Sequence, residues 1–345
     1  MAHNYGPGMK LPTAQQLAAQ FGVTLTTLDR ALAKLETRSV ITRRQGSGIY
    51  VSNGLLDKRI GLVFGRNIFR FGSSAFYLLL LQECERAAEI GNYQFSLFLS
   101  PKQYNTPIEA GQFNPELDTA LKQRKLDGLL ACEINNDNYE LWLANQNIPT
   151  VALAPSKHFP TVGIDSNQLI EHSVAHLAAQ GCRTVGLLGI LSRHYEYFTA
   201  ATQKYGIKIK QEAVIHPEDE KDPPFDVHEQ LGREWISKCL ECCGGKKNLP
   251  DGMVVTDDLL ARGACLQMKE YGIRIGEDLK IVSHANKGSL SLEYWEDHIT
   301  IAEIDPAQMV SEMFQILDKL MDGKKLTRKK TNIQASLISK NSTQS

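Results

Sequence analysis

The sequence predicts an α/β chain in two parts, a small winged helix-turn-helix domain followed by a bilobed, doubly wound α/β body. Three observations predict it. Leu11 to Val51 has the order of two short helices and a hairpin with a basic tip. From Lys58 onward, β-prone runs alternate with helical ones. The charge is also lopsided: residues 1–59 hold eight Lys/Arg against three Asp/Glu, leaving 30 against 36 for the rest of a chain whose formal net charge is −1. A basic end on an acidic body fits a nucleic-acid-binding head joined to something that does not bind nucleic acid.

In the head, Pro12 sits where proline is tolerated at a helix start, and Thr13 can cap the first turn. Leu17, Ala18 and Phe21 recur at helical spacing, and Gly22 supplies the turn. Thr24 is an N-cap for a second helix, whose Leu28, Ala31, Leu32 and Leu35 form the inward stripe. The opposite face carries Thr26, Thr27, Arg30 and Lys34, hydroxyls and cations suited to phosphates and base edges. Val40-Ile41 and Ile49-Tyr50-Val51 are β-prone runs around a Gln45-Gly46-Ser47-Gly48 turn, flanked by Arg43 and Arg44. The candidate nucleic-acid contacts are therefore Thr24, Thr26, Thr27, Arg30 and the wing Arg43, Arg44, Gln45, Gly46 and Ser47.

In the body, Arg59–Phe64 reads as a buried strand, Ala75–Ile90 as an amphipathic helix and Phe95–Leu99 as a second strand. Helix 115–124, strand 128–132, helix 139–146 and strand 150–154 follow. After Gly163 the order repeats: strand 184–189, helices 197–205 and 231–243, strand 252–256, helix 261–271, strand 279–283. Strands separated by helices of this length imply a mostly parallel sheet. Two such units in tandem imply two lobes with a ligand cleft at the strand carboxyl ends. The expected domains are 1–52, a linker 53–58, and an effector-binding and dimerisation domain 59–345.

No P-loop, no GxGxxG after a strand and no GxSxG nucleophile turn occurs, so neither catalysis nor a cofactor is expected. No secretory leader is visible, and the apolar run Phe76–Gln82 is far short of the ~20 residues that span a bilayer. Seven cysteines, an odd number, fit reduced thiols in a cytoplasmic protein. Cys239, Cys242 and Cys243 cluster on one helix, but no partner lies at metal-ligand spacing, so no metal site is expected.

Several motifs in the head resemble the DNA-binding domain of GntR-type regulators: Gly8-Met9-Lys10-Leu11-Pro12, Gly22-Val23-Thr24, Thr26-Thr27-Leu28, Ala31-Leu32, Leu35 and Arg44-Gln45-Gly46-Ser47-Gly48. The head departs from that family in three ways. The family's first helix is expected to be lacking, since about five residues precede the Gly-Pro-Gly segment; Leu25 and Asp29 stand where the family commonly has arginines; and Thr37-Arg38-Ser39-Val40 lacks the usual glycine.

The body resembles the effector domain of LacI/GalR-type regulators, which is similar to the periplasmic sugar-binding proteins. The resemblance rests on Arg59–Val63, Val162–Ser166, Gly181–Val185, Thr256–Gly263, Tyr271–Arg274, Glu277–Leu279 and the closing run Leu337–Thr343. The combination is similar to arabinose-repressor-like regulators. It implies a homodimer on double-stranded operator DNA, a repressor that takes a sugar or sugar derivative and has no membrane partner. The resemblance also implies effector contacts. Asp258 matches the family's Asp-x-x-Ala aspartate and follows Asp257, and either of the two could equally cap a helix; Asp165 is a ligand or a cap. Either Arg193 or His194 takes the place of the family's arginine, and His284 and Asn286 lie in its Gly-Phe-Asp segment. Phe69, Phe71, Phe76 and Tyr77 follow the first strand, where the family often places a ring over its ligand and where such a cluster also contributes to the core. The alternative expectation is a cytoplasmic sugar receptor whose head is degenerate and does not bind DNA.

Overall fold

The computed structural model describes residues 5–37, 40–52, 58–69, 74–91, 93–100, 113–134, 136–153, 155–218 and 227–338. Phe71, residues 53–57 of the expected linker and the end of the closing run lie outside them. The chain forms two compact units. The first comprises Met1–Arg66, Glu85–Pro160 and Phe314–Thr327; the second comprises Asn67–Cys84, Thr161–Met313 and Arg328–Ser345. Among the described residues no helix is long and apolar enough to cross a membrane.

The first unit begins with the head: α1 (Ala14–Phe21), α2 (Leu25–Thr37) and the antiparallel hairpin β1 (Ile41–Arg44) and β2 (Gly48–Val51). Thr13 and Gln16 form a reciprocal capping box at the start of α1, and Gly22, at φ 64°, closes it in the left-handed region. Thr24 Oγ1 accepts the Thr27 N–H at 3.2 Å and so starts α2. Leu17, Ala18, Leu28, Leu32, Ile41 and Ile49 make the small core, with Leu11, Ala14, Leu35 and Val40 packed against it. Two expected core positions are corrected. Phe21 is 65% exposed, because nothing described covers the last turn of α1, and Ala31 is exposed on α2. The residues before α1 also join the wing: backbone bonds between Gly8–Leu11 and Ile49–Val51 lay that segment along β2.

The rest of this unit holds a parallel sheet in the order β4-β3-β5-β6, built from β3 (Lys58–Phe64), β4 (Tyr93–Leu99), β5 (Gly128–Cys132) and β6 (Thr150–Leu153). The central β3 and β5 are apolar because both sheet faces are covered. Helices α4 (Pro115–Lys122) and α5 (Asp137–Ala144) pack Leu117, Tyr139 and Leu143 against Val63, Leu129 and Ala131. Helix α3 spans Phe76–Gly91.

In the second unit, β7 (Thr161–Ile164) pairs in parallel with β13 (Lys330–Ile333). A six-stranded sheet has the order β14-β12-β11-β10-β8-β9, from β8 (Thr184–Leu188), β9 (Lys208–Ile215), β10 (Gly252–Val255), β11 (Lys280–Asn286), β12 (Thr300–Ile304) and β14 (Ser336–Ile338). All its pairings are parallel except β12 with β14. Helices α6 (Ser166–Ala179), α7 (Ser192–Tyr205), α8 (His228–Cys242) and α9 (Asp258–Glu270) cover it; α10 spans Pro306–Met321. Helices α7, α8 and α9 each begin three to five residues before the expected start, since their first turns are polar and carry no apolar period. The strands β9 and β12 and the helix α10 were not among the expected elements.

Helices α8 and α9 cross at two glycines. A Cβ on Gly263 would fall 1.8 Å from the Glu229 carbonyl oxygen, and one on Gly232 would fall 2.0 Å from that of Leu260. Backbone meets backbone there, so a methyl group forces the helices apart. Gly263→Ala is expected to destabilise the protein by about 1–3 kcal/mol or more, seen as a thermal midpoint several degrees lower. Gly163→Ala, whose Cβ would meet nothing within 4 Å, stays within about 0.5 kcal/mol of the parent. Cys239 and Cys243 lie in the same core, and burial pushes the Cys239 thiol up to about 12, which keeps it an inert packing group.

Candidate functional site

The head exposes one polar face. Thr26, Thr27 and Arg30 on α2 are all open to solvent, as are Arg44, Gln45, Gly46 and Ser47 at the tip of the hairpin. Thr24 and Thr27 are partly committed to each other, with their hydroxyl oxygens 2.9 Å apart. Arg43 is committed further: its guanidinium lies 3.4 Å from both Asp29 Oδ1 and Glu36 Oε2 and donates to the Asp29 carbonyl at 3.2 Å. The charge of Asp29, which stands where a cation was expected from the resemblance, is thereby countered within the head. Tyr50 was missed by the sequence reading. Its hydroxyl lies 2.7 Å from Ser47 Oγ, and both Lys10 and Arg44 stand over its ring. The partnership of Lys10 with Tyr50 depends on a β-bridge across 40 positions of sequence, which leaves no local pattern to read.

The effector candidates all fall within the ranges of the second unit, where a polar cluster forms at the carboxyl ends of β8, β10 and β11. Parallel strands end with their next residues on one edge of the sheet, which is why sequence-distant side chains meet there. His194, in the first turn of α7, is buried, and its Nδ1 lies 2.9 Å from Thr256 Oγ1. Burial, then the Arg193 and His284 charges, hold its imidazole down at about 3, so it is neutral at physiological pH. Arg193 is half-buried beside it.

Asp257 caps α9 by accepting the Leu260 N–H at 2.9 Å, and its Oδ1 lies 3.0 Å from His228 Nδ1. Burial opposes its ionisation, but the His228 imidazole and the Leu260 N–H outweigh that and hold the carboxyl below its usual range. The adjacent Asp258 goes the other way: burial and the Asp257 charge raise it, although Ser289 Oγ donates to its Oδ2 at 2.9 Å. His284 and Asn286, at the end of β11, are buried at 8% and 6% exposure. Among the described residues, His284 Nε2 and Asn286 Oδ1 have no hydrogen-bond partner. Two such atoms cost about 1–3 kcal/mol each unless something supplies a partner.

The cluster thus brings together His194, Arg193, Asp258, His284 and Asn286. Asp165 instead caps α6, accepting the Gln168 N–H at 3.1 Å while its own N–H donates to Ile333. Tyr77 is 1% exposed and lies in the core, Phe76 is half-buried with its ring 5.7 Å from that of Tyr77, and Phe69 is 59% exposed. Residues that the sequence reading left out of the site, Thr256, His228 and Ser289, complete its polar frame. His228 carries no motif. It follows a stretch without periodicity, and only the fold sets it against a residue 29 positions away.

Comparisons with known proteins match both parts. The profile of the bacterial regulatory proteins of the gntR family matches residues 1–51, and that of the periplasmic binding protein-like domain matches residues 174–343. The uncharacterized HTH-type transcriptional regulator YkvZ of Bacillus subtilis (strain 168) is 24% identical over 220 residues, covering 61% of this chain and 62% of that protein. The HTH-type transcriptional repressor PurR of Pasteurella multocida (strain Pm70) is 26% identical over 207 residues, 56% of each. The chain therefore spans a little over half the length of these curated relatives. Among solved structures, a transcriptional regulator CelR–cellobiose complex superposes with a TM-score of 0.66 at 18% identity, over 96% of this chain and all of that one.

Proposed function

We propose that this chain, a gntR-type winged-helix head on a periplasmic-binding-protein-like body of the LacI/GalR-type regulators, is a ligand-responsive transcriptional regulator that binds DNA and is not an enzyme. In this reading it is a cytoplasmic homodimeric repressor, with domains at 1–52 and 59–345. The α2 face of Thr26, Thr27 and Arg30 lies in the major groove of operator DNA, and the wing lies beside it. The effector is a sugar or sugar derivative, bound in the second unit by Arg193, Asp258, His284 and Asn286, with Phe76 and Phe69 as candidate rings. The observation that carries the effector site is the buried pair His284 Nε2 and Asn286 Oδ1, which have no hydrogen-bond partner among the described residues. One accepts or donates and the other accepts, which suits hydroxyls that do both. A solved relative in the fold holds cellobiose, which supports a sugar here.

The test has two arms. The purified chain is used to select duplexes from a randomised DNA pool, and recovery of one sequence class whose binding weakens steeply with salt supports the regulator. Recovery of no duplex at low salt overturns it. In the second arm, a thermal-shift screen of sugars and sugar acids identifies the effector. Asn286→Ala is then expected to weaken the responding sugar about tenfold, as the loss of one buried hydrogen bond does; unchanged affinity removes Asn286 from the site.

A further inference from the structure

Only some of the cations in the head are available to an anion. Arg43, on β1, is held by Asp29 and Glu36. Lys10 and Arg44 have no ion pair among the described residues. Both stand over the Tyr50 ring, with Lys10 Nζ 5.8 Å and Arg44 Cζ 4.9 Å from its centroid. At such distances the electron-rich face attracts each cation without neutralising it. The ring is itself held, since Tyr50 OH meets Ser47 Oγ at 2.7 Å across the turn.

Gly48 completes the arrangement. The residue sits at φ 124°, which favours glycine, and the Lys10 chain passes close over it, since a Cβ there would fall 2.8 Å from Lys10 Cε. Lys10 bridges Tyr50 through the backbone as well, which fixes the stem of the side chain. Two like charges would not otherwise share one small surface. The platform gathers them with no ion pair to either among the described residues, while Asp29 and Glu36 are held by Arg43.

We infer that Lys10 and Arg44, seated on Tyr50, are the wing's phosphate-binding pair, and that Arg43 is a structural cation of the head. Lys10 then contacts the backbone of duplex DNA from the segment before α1, outside the winged helix proper. Tyr50 acts as a positioning residue for both cations. The inference rests on the DNA-binding reading above.

The experiment uses the full-length chain and a labelled duplex of about 30 base pairs that the wild type has selected from a random pool. Affinity is read by fluorescence anisotropy over a series of salt concentrations. Each lost phosphate contact reduces the slope of log affinity against log salt by about 0.9. Lys10→Ala and Arg44→Ala are each expected to reduce it by that amount, Lys10→Arg to restore it, and Arg43→Ala to reduce it by less than half as much. Tyr50→Phe keeps the wild-type slope and Tyr50→Leu lowers it, with circular dichroism showing each variant folded. A Lys10→Ala slope equal to that of the wild type, or an Arg43→Ala loss as large as that of Lys10→Ala, overturns the inference while the DNA-binding reading stands. A wild type that selects no duplex overturns that reading itself.

Discussion

Asp257→Ala is expected to lower the unfolding free energy by about 1–3 kcal/mol, the cost of removing the carboxylate that faces the buried His228 imidazole. Asp257 is 5% exposed and His228 is 1% exposed, so the orphaned imidazole has no route to solvent. The substitution also removes the α9 cap at Leu260 N–H, worth about 1 kcal/mol by itself. Denaturant unfolding at pH 7 measures the loss. Asp257→Asn keeps the cap and loses the charge, so it should fall between the parent and the alanine variant. An alanine variant within about 1 kcal/mol of the parent would show that the pair contributes nothing beyond the cap.

The second large effect is a loss of stability in weak acid traced to His194. Its folded-state pKa, about 3, lies below the 6.5 of an ordinary imidazole, chiefly because the neutral ring is buried against Thr256. Between those values the unfolded chain binds a proton that the folded chain refuses. The contribution is therefore fully present above pH 6.5 and lost as pH falls toward 3, at up to 1.4 kcal/mol per pH unit. From pH 6.5 to 5 this amounts to about 2 kcal/mol.

Two neighbours bound the window. Asp257, held low, contributes stability that is lost only as the pH falls below the ordinary carboxylate range, near 3.9. Asp258, held high, costs stability as the pH rises above that range and so slopes the opposite way. The difference between the parent and His194→Gln isolates the imidazole. Unfolding free energies from denaturant titration at pH 7 and pH 5 should differ less in the variant by on the order of 2 kcal/mol. An equal drop in both proteins would rule out His194 as the group that titrates.

Local chemistry made much of the head legible. Pro12-Thr13, Gly22, Thr24 and the Gln45–Gly48 turn each specify a cap or a bend through a residue that acts on its immediate neighbours. The strands β3, β5 and β10 were legible as apolar runs because a strand covered on both faces must be apolar throughout. Phe21 misled for the same local reason: its spacing is that of a core position, but spacing does not tell whether another element arrives to cover it. The polar first turns of α7, α8 and α9, which carry Arg193, His194, His228 and Asp258, were invisible to an apolar period.

What the sequence by itself determined is the alternation of strands and helices, the two-part α/β class and several of the polar residues at the strand ends, among them Arg193, His194, Asp258, His284 and Asn286. These follow from interactions within a few positions and from the two periods of backbone geometry. The tertiary structure alone decided which of those residues act together. It set His228 against Asp257, left His284 Nε2 and Asn286 Oδ1 buried without a hydrogen-bond partner among the described residues, placed Asp165 at a helix cap and tied Arg43 to Asp29 and Glu36. The physical reason is that burial and partnership, which set a side chain's protonation and its freedom to bind, come from chain segments brought together only by packing.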